Sequence, residues 1–235
     1  MKDHDTCILF FVKYPTKGQV KHRLAVNLSE DIVLDLYRAF VKDTLTTIQK
    51  IETTLLICFT PGNSQKKFQK WLGETYTFVP QTGKDLGERM KNSFIYAFQH
   101  GFKQAVLIGS DSPDLPKTFL HNAFAELQHH DIVLGPSSDG GYYLIGFQDT
   151  TFEPLVFDGI HWSSPSVFQE TIETIKRTNH SLSLLPMWSD VDTIDDLKNL
   201  MKRNKNTGFK SSDTISFLHQ QKILPEDDDV VASEK

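Results

Sequence analysis

The chain is poor in several things, and each shortage removes a class of protein. Only two cysteines occur in 235 residues. Cys7 and Cys58 both sit inside apolar runs, which points away from a disulfide or a thiolate metal pair and toward buried free thiols of a reducing cytoplasm. No apolar stretch is long enough to span a bilayer. Residues 8–12 are too few for a signal-peptide core and follow acids as well as Lys2, so neither a membrane span nor a targeting segment is read. Positive charge is not in excess: the formal net charge is −5, which offers nucleic acid no general attraction and makes any phosphate binding a local matter. The G-x-x-x-x-G-K and G-x-G-x-x-G patterns, H-E-x-x-H, zinc spacings and the nucleophile elbow are all missing.

What is present fits a soluble globular enzyme or binding protein, with 39% hydrophobic and 23% charged residues. One domain over residues 1–224 is expected, followed by an acidic, disordered tail over 225–235 that contains Glu226-Asp227-Asp228-Asp229. Apolar runs at residues 7–12, 54–59, 76–79 and 105–108 read as strands. They alternate with helical periodicity at 32–48, 68–72, 85–100 and 118–128, which argues for a mostly parallel sheet with helices on both faces. Residues 132–134 and 143–147 add two strands around a loop of turn formers. A helix is expected from Ser163-Ser164-Pro165, with Pro165 at its first position. A short strand at 182–185, a helix from Thr193 and another over 211–220 complete the pattern.

Several loops carry chemistry. Leu107-Ile108-Gly109-Ser110-Asp111-Ser112-Pro113-Asp114-Leu115-Pro116 runs from a buried strand into a proline-bounded acidic loop. In open α/β sheets ligands bind beyond the carboxyl ends of strands, so Asp111 lies where a metal or substrate is expected. The alternative is that Ser110, Asp111 and Asp114 cap the next helix. Lys13, Lys17, Lys21 and Arg23 crowd the loop after the first strand, which suits a nucleotide phosphate chain, though an ordinary solvated basic loop has the same composition. Gln81 and Gly83 belong to a second strand-to-helix loop. Arg89 stands in the first turns of its helix, where it either meets a base or phosphate or pairs with Asp85. Asp139-Gly140-Gly141-Tyr142 gives an acid beside backbone that a ligand can approach closely, or else a plain turn. Asp190-Val191-Asp192 would send its acids to opposite faces if the last strand persists that far. Asp192 would then complete an oxygen site for Mg²⁺ or Mn²⁺, or cap the following helix together with Thr193. His161 and Trp162 read as an aromatic anchor or a substrate-facing wall.

Five segments in this order resemble the nucleotide-diphospho-sugar transferases of the GT-A fold, over about residues 8–200. They are Lys13-Tyr14-Pro15 with Gly18-Gln19-Val20-Lys21-His22-Arg23-Leu24; Leu86-Gly87-Glu88-Arg89-Met90; Gly109-Ser110-Asp111-Ser112-Pro113-Asp114-Leu115; Gly135-Pro136 with Asp139-Gly140-Gly141-Tyr142-Tyr143-Leu144-Ile145-Gly146; and Asp190-Val191-Asp192-Thr193. Within that superfamily the chain is similar to the cofactor-biosynthesis-like branch of small bacterial glycosyltransferases associated with radical-SAM proteins and arsenosugars. It departs from the family pattern at His22, where Thr is common, and at Ser163-Ser164, where a Gly-Thr or similar pair is common.

The resemblance implies a cytoplasmic enzyme that takes a nucleotide or nucleotide-sugar donor and a small acceptor, with no nucleic acid partner. It places the nucleotide near Lys13, Lys21, Arg23, Gln81, Gly83 and Arg89, and the acceptor near Gly140, Gly141, Tyr142, His161 and Trp162. Asp111 and Asp139 are its catalytic acids, and Asp111 and Asp192 its ligands for Mg²⁺ or Mn²⁺. Glycosyl transfer is the favoured reaction. Nucleotidyl transfer with release of pyrophosphate is the alternative, because the basic loop resembles that of 2-phospholactate guanylyltransferases. A nucleotide-binding protein without turnover is a third reading, against which the presence of Asp111, Asp139 and Asp192 together weighs. The donor base, the sugar, the acceptor and the oligomeric state leave no mark in the sequence.

Overall fold

The computed structural model describes residues 3–223, so the expected acidic tail lies outside the described residues. In chain order the elements are β1 (Asp3–Lys13), α1 (Glu30–Ile48), β2 (Thr53–Thr60), α2 (Gln65–Leu72), β3 (Thr77–Pro80), α3 (Leu86–Gln99), β4 (Gln104–Ile108), α4 (Lys117–Glu126), β5 (Ile132–Pro136), β6 (Tyr142–Gln148), α5 (Val167–Lys176), β7 (Leu182–Leu184), α6 (Ile194–Asn204) and α7 (Asp213–Gln220). They form two compact units. The first contains the residues up to Tyr14 together with Thr44–Asp190, and the second Pro15–Asp43 with the described residues from Val191 onward.

The first unit is built on a seven-stranded sheet in the order β3-β2-β1-β4-β6-β5-β7. All neighbours are parallel except at β6, which runs antiparallel to both β4 and β5. The mostly parallel α/β architecture expected from the alternation of elements is therefore present. Both faces of β1 are buried, which is why its apolar residues form a continuous run rather than alternating with polar ones. Cys7, Leu9 and Phe11 share a core with Met90, Phe94 and Ala97 of α3 and with Ile172 and Ile175 of α5. On the other face, Gly146 of β6 lies against Val106 of β4 and Leu127 at the end of α4. Each fully buried Phe or Leu contributes about 1.5–3 kcal/mol by leaving water, and such residues fill the centre of the sheet.

Local chemistry sets the helix ends. Asp85 caps α3 by accepting from Glu88 N at 2.9 Å, while Glu88 Oε2 accepts from Lys84 N at 2.8 Å. Gly73 follows α2 at φ +100°, a conformation that favours glycine. Two sequence expectations need correction. The last strand is Leu182–Leu184, close to the expected 182–185, and although Trp188 N–H again donates to Pro136 O at 3.0 Å beyond Pro186, the strand does not persist to 190–192. α5 begins at Val167, two residues after the expected first position Pro165, and Phe168 in its first turn donates its N–H to Gly140 O at 2.8 Å.

The second unit has its own core, in which Leu24, Val33, Leu36 and Phe40 pack with Val191, Leu197, Leu200, Ile215 and Leu218. Thr193 and Asp196 form a reciprocal capping box at the start of α6. Asp43 accepts from the N–H groups of Asp213 and Thr214 at 3.0 and 2.8 Å, so one carboxylate satisfies two donors at the start of α7. Burial pushes the Asp43 carboxyl above its ordinary range.

Candidate active site

Because β6 is reversed, its first residue lies at the same rim of the sheet as the last residues of β4 and β5. Ile108 pairs with Leu144 and Gly135 with Leu144 on the other side. The loop after β4, which carries Asp111, therefore leaves the sheet beside the loop 137–141 that leads into β6. Asp111 is partly buried. Pro116 stands at the N-cap of α4 and makes no side-chain capping bond. Buried Asp114 accepts from Trp188 Nε1 at 3.2 Å.

Asp190 joins the two loops. Its Oδ1 accepts from Ser112 Oγ, and its Oδ2 accepts from Ser137 Oγ at 3.0 Å. A carboxylate bonded to both loops fixes their spacing at the rim, so Asp190 is a positioning residue one step from Asp111. The sequence reading did not single it out. Its signal was the alternation Asp190-Val191-Asp192, but the choice between the two acids is made by their tertiary partners.

Asp139 is exposed, and its Oδ1 accepts from Gly141 N at 3.0 Å. Gly140 sits at φ +91°, and a Cβ there would fall 2.1 Å from Pro165 O. The turn reading of this segment thus holds locally, and the turn is fastened to the approach to α5. Tyr142 meets Trp162 edge-on at 6.5 Å between centroids, and its hydroxyl points to Met90 Sδ at 3.8 Å. Burial pushes the Tyr142 phenol far above its ordinary value. The Trp162 indole lies on Gly87, where a Cβ would come within 2.5 Å of Nε1. The glycine of the Leu86-Gly87-Glu88-Arg89-Met90 segment therefore has a physical reason. It lets an aromatic wall close on the first turn of α3, bringing Tyr142 and Trp162 to the helix that carries Arg89.

On the other side of that turn, Gln81 Nε2 donates to Cys58 O at 2.7 Å, tying the loop to the sheet. Arg89 Nε points to Gly83 O at 3.4 Å rather than to Asp85, whose side chain is occupied in capping. Gly83 itself, at φ +146°, has no room for a Cβ against the Glu88 and Arg89 backbone. His161 is exposed, and its Nδ1 lies 3.0 Å from Glu170 Oε1.

Lys13 ends β1 in the first unit. The remaining basic-loop residues belong to the second, and there the charges are paired. Lys21 Nζ lies 2.9 Å from Asp192 Oδ1 with its side chain only 3% exposed, and Arg23 Nη1 approaches Asp192 Oδ2 at 3.9 Å. Lys17 is bonded to Asp31 at 2.8 Å. Lys21 also adopts a positive φ of 47° and places its ammonium 5.7 Å from the Phe40 ring centroid. The lysine expected at phosphate and the aspartate expected at metal are thus held by one another. Among the described residues no group of three or more His, Cys, Asp or Glu is arranged around a common metal position. A hard, partly buried oxygen donor such as Asp111 still fits magnesium-type binding, in which one or two carboxylates are supplemented by water and substrate phosphates.

The family model described as uncharacterized protein conserved in bacteria (DUF2064) matches residues 44–164, more than half of the chain and the part that holds Arg89, Asp111, Asp139 and Trp162. A crystal structure from Desulfovibrio desulfuricans G20, assigned as a nucleotide-diphospho-sugar transferase, is 44% identical, with 94% of this chain and 96% of that chain covered and a TM-score of 0.90. The chain belongs to the nucleotide-diphospho-sugar transferase family. As a member of that family it is a transferase that uses a nucleotide substrate. The fold is shared more widely. A cytidylyltransferase from Leptospira borgpetersenii is 12% identical, with 94% of each chain covered and a TM-score of 0.56. Rv0371c of Mycobacterium tuberculosis H37Rv, crystallised as a complex with manganese, is 15% identical, with 84% of this chain and 97% of that chain covered and a TM-score of 0.50. No curated protein matches the chain. Among the described residues of this transferase no helix is long and apolar enough to cross a membrane.

Proposed function

We propose that the protein transfers a glycosyl group from a nucleotide sugar to a small acceptor, releasing a nucleoside diphosphate. The observation that supports this over nucleotidyl transfer is the pairing of Lys21 with Asp192. A loop that grips a triphosphate and stabilises departing pyrophosphate needs cations with charge to spare. Here Lys17 and Lys21 already face carboxylates. A diphosphate leaving group asks less of the loop.

In this reading Gln81, Gly83 and Arg89 take the nucleotide, with Lys13 contributing charge. Asp139, Gly140, Gly141, Tyr142, His161 and Trp162 border the acceptor. Asp111 would hold Mg²⁺ or Mn²⁺, a use that the manganese complex of Rv0371c supports by analogy of fold. When bound, the cation would neutralise charge on the leaving diphosphate. We assign Asp192, which already serves Lys21 and Arg23, to shaping the basic loop, so that ligating a metal would require it to give up Lys21. Two free buried cysteines suit the cytoplasm, where we place the protein.

The test compares the affinities of one base as triphosphate, diphosphate and nucleotide sugar with Mg²⁺ present, and then assays an acceptor mixture for released diphosphate and pyrophosphate. The proposal expects the nucleotide sugar or diphosphate to bind at least as tightly as the triphosphate, with diphosphate as the product. Stoichiometric pyrophosphate from a triphosphate, and none of the diphosphate from any nucleotide sugar, would replace it with nucleotidyl transfer.

A further inference from the structure

His161, in the segment before α5, and Glu170, in the first turn of α5, form an imidazole–carboxylate pair to which donor and metal binding give no task. His161 Nδ1 is 3.0 Å from Glu170 Oε1, the His161 backbone N–H donates to Glu170 Oε2 at 2.7 Å, and Ser166 Oγ donates to Oε1 at 2.7 Å. The carboxylate is thus held from three sides. These bonds, the His161 N–H foremost, keep Glu170 below the usual carboxylate range. An ionised carboxylate only accepts, so it selects the tautomer with the proton on Nδ1 and leaves a lone pair on Nε2. The ring is 83% exposed, which leaves that lone pair accessible.

The surroundings give the pair a place in the site. The next residue, Trp162, lies on Gly87 at the start of α3, and Phe168, two residues before Glu170, is hydrogen-bonded to Gly140 beside Asp139. The neighbouring charges are already matched, since Asp158 pairs with Lys91 at 2.9 Å. Among the described residues Glu170 is the one carboxylate paired with the His161 ring.

We propose that His161 is the general base of the transfer and Glu170 its positioning residue, with a hydroxyl group as the acceptor. This rests on the glycosyl-transfer reading above. The acceptor oxygen forms a bond to the anomeric carbon of the sugar while its proton passes to His161 Nε2. The bond from that carbon to the diphosphate oxygen breaks, and its electron pair leaves with the nucleoside diphosphate. Glu170 stabilises the imidazolium, which then returns the proton to solvent.

The test uses the full chain, His161→Gln and Glu170→Gln. The donor probe is whichever of the uridine, guanosine, cytidine and thymidine diphosphate sugars gives the largest thermal shift, and the acceptors are a mixture of small sugars and polyols. His161→Gln should lower kcat by about 10²–10⁴-fold, the usual contribution of a general base, with donor affinity and melting temperature retained. Glu170→Gln should lower kcat less and change the acidic limb of the pH–rate profile. Independently of turnover, ¹⁵N spectra of the ring should show the proton on Nδ1 in the wild type. A His161→Gln rate within threefold of wild type, or a ring protonated on Nε2, overturns the proposal. Failure of the glycosyl-transfer reading looks different: the wild type would then make pyrophosphate from a triphosphate, and the same His161→Gln rate ratio, measured on that reaction, decides whether His161 is its base.

Discussion

Lys21 and Asp192 neutralise each other at 2.9 Å across 171 positions of sequence, with the lysine buried and the aspartate about one-third exposed. The second unit therefore contains an ion pair that closes its two chain segments on one another. Removing one partner of a buried pair leaves a charge without compensation, which costs more than the pair itself contributes.

Asp192→Asn should destabilise the protein by about 2–3 kcal/mol, below the fully buried range because water reaches the carboxylate. Lys21→Met should cost less, about 1–2 kcal/mol, since Asp192 keeps Arg23 nearby and stays solvated. The double variant should be more stable than the sum of the two losses implies. Urea unfolding of the three variants checks this. Additive losses would mean that the two residues act separately, and a Lys21→Met protein of unchanged stability but weakened nucleotide binding would return the lysine to the phosphate.

Asp111→Asn should abolish metal-dependent turnover and leave the melting temperature within about 2 °C, roughly the shift that corresponds to half a kcal/mol or a little more in a protein of this size. Activity with saturating Mn²⁺ and thermal unfolding, measured on one preparation, decide between a ligand and a structural acid.

Gly87→Ala sets two effects against each other. Alanine favours helix over glycine by up to about 1 kcal/mol, but the new Cβ would stand 2.5 Å from the Trp162 Nε1. The clash should win, with a net loss of about 1–3 kcal/mol as for other overpacked sites. A changed near-ultraviolet tryptophan signal should accompany it. Trp162→Leu in the same chain should restore part of the stability, and a failure to do so would locate the strain elsewhere.

Acid stability should depend on Glu170. Its folded-state pKa lies below the ordinary 4.5 because the His161 N–H, the Ser166 hydroxyl and the imidazole bond the charged form. The unfolded chain therefore binds the proton more readily, and the contribution is complete well above pH 4.5 and is lost as pH falls through the folded value. The melting-temperature gap between wild type and Glu170→Gln should be constant near neutrality and shrink below pH 4.5. A gap that widens on acidification would contradict the sign.

Periodicity made the sheet and most helices legible, since runs buried on both faces and amphipathic stripes are set by residue type alone. The rim of the site was legible as loops but not as partnerships. Lys21 read as an exposed cation because composition reports charge and not burial, although Val20 and Leu24 on either side, both buried, mark a loop that packs. Asp190 is one of two acids in a short alternation, and the choice between them is made by tertiary partners, Ser112 and Ser137, that no local pattern encodes. Gly87 was legible only as part of a family segment. Its cause, an indole from 75 residues away, is a tertiary contact that no local pattern encodes.

The second unit takes its core from chain segments that emerge far apart in time. Val33, Leu36 and Phe40 are made early, and Val191, Leu197 and Leu200 follow after roughly 150 further residues. At about 5–20 residues per second that interval is on the order of ten to thirty seconds. Throughout it Val33, Leu36 and Phe40 lack this part of their cover, so the nascent chain exposes them to chaperones and to aggregation until the segment from Val191 emerges. A ribosome that stalls near residue 190 would release the sheet with that cover missing.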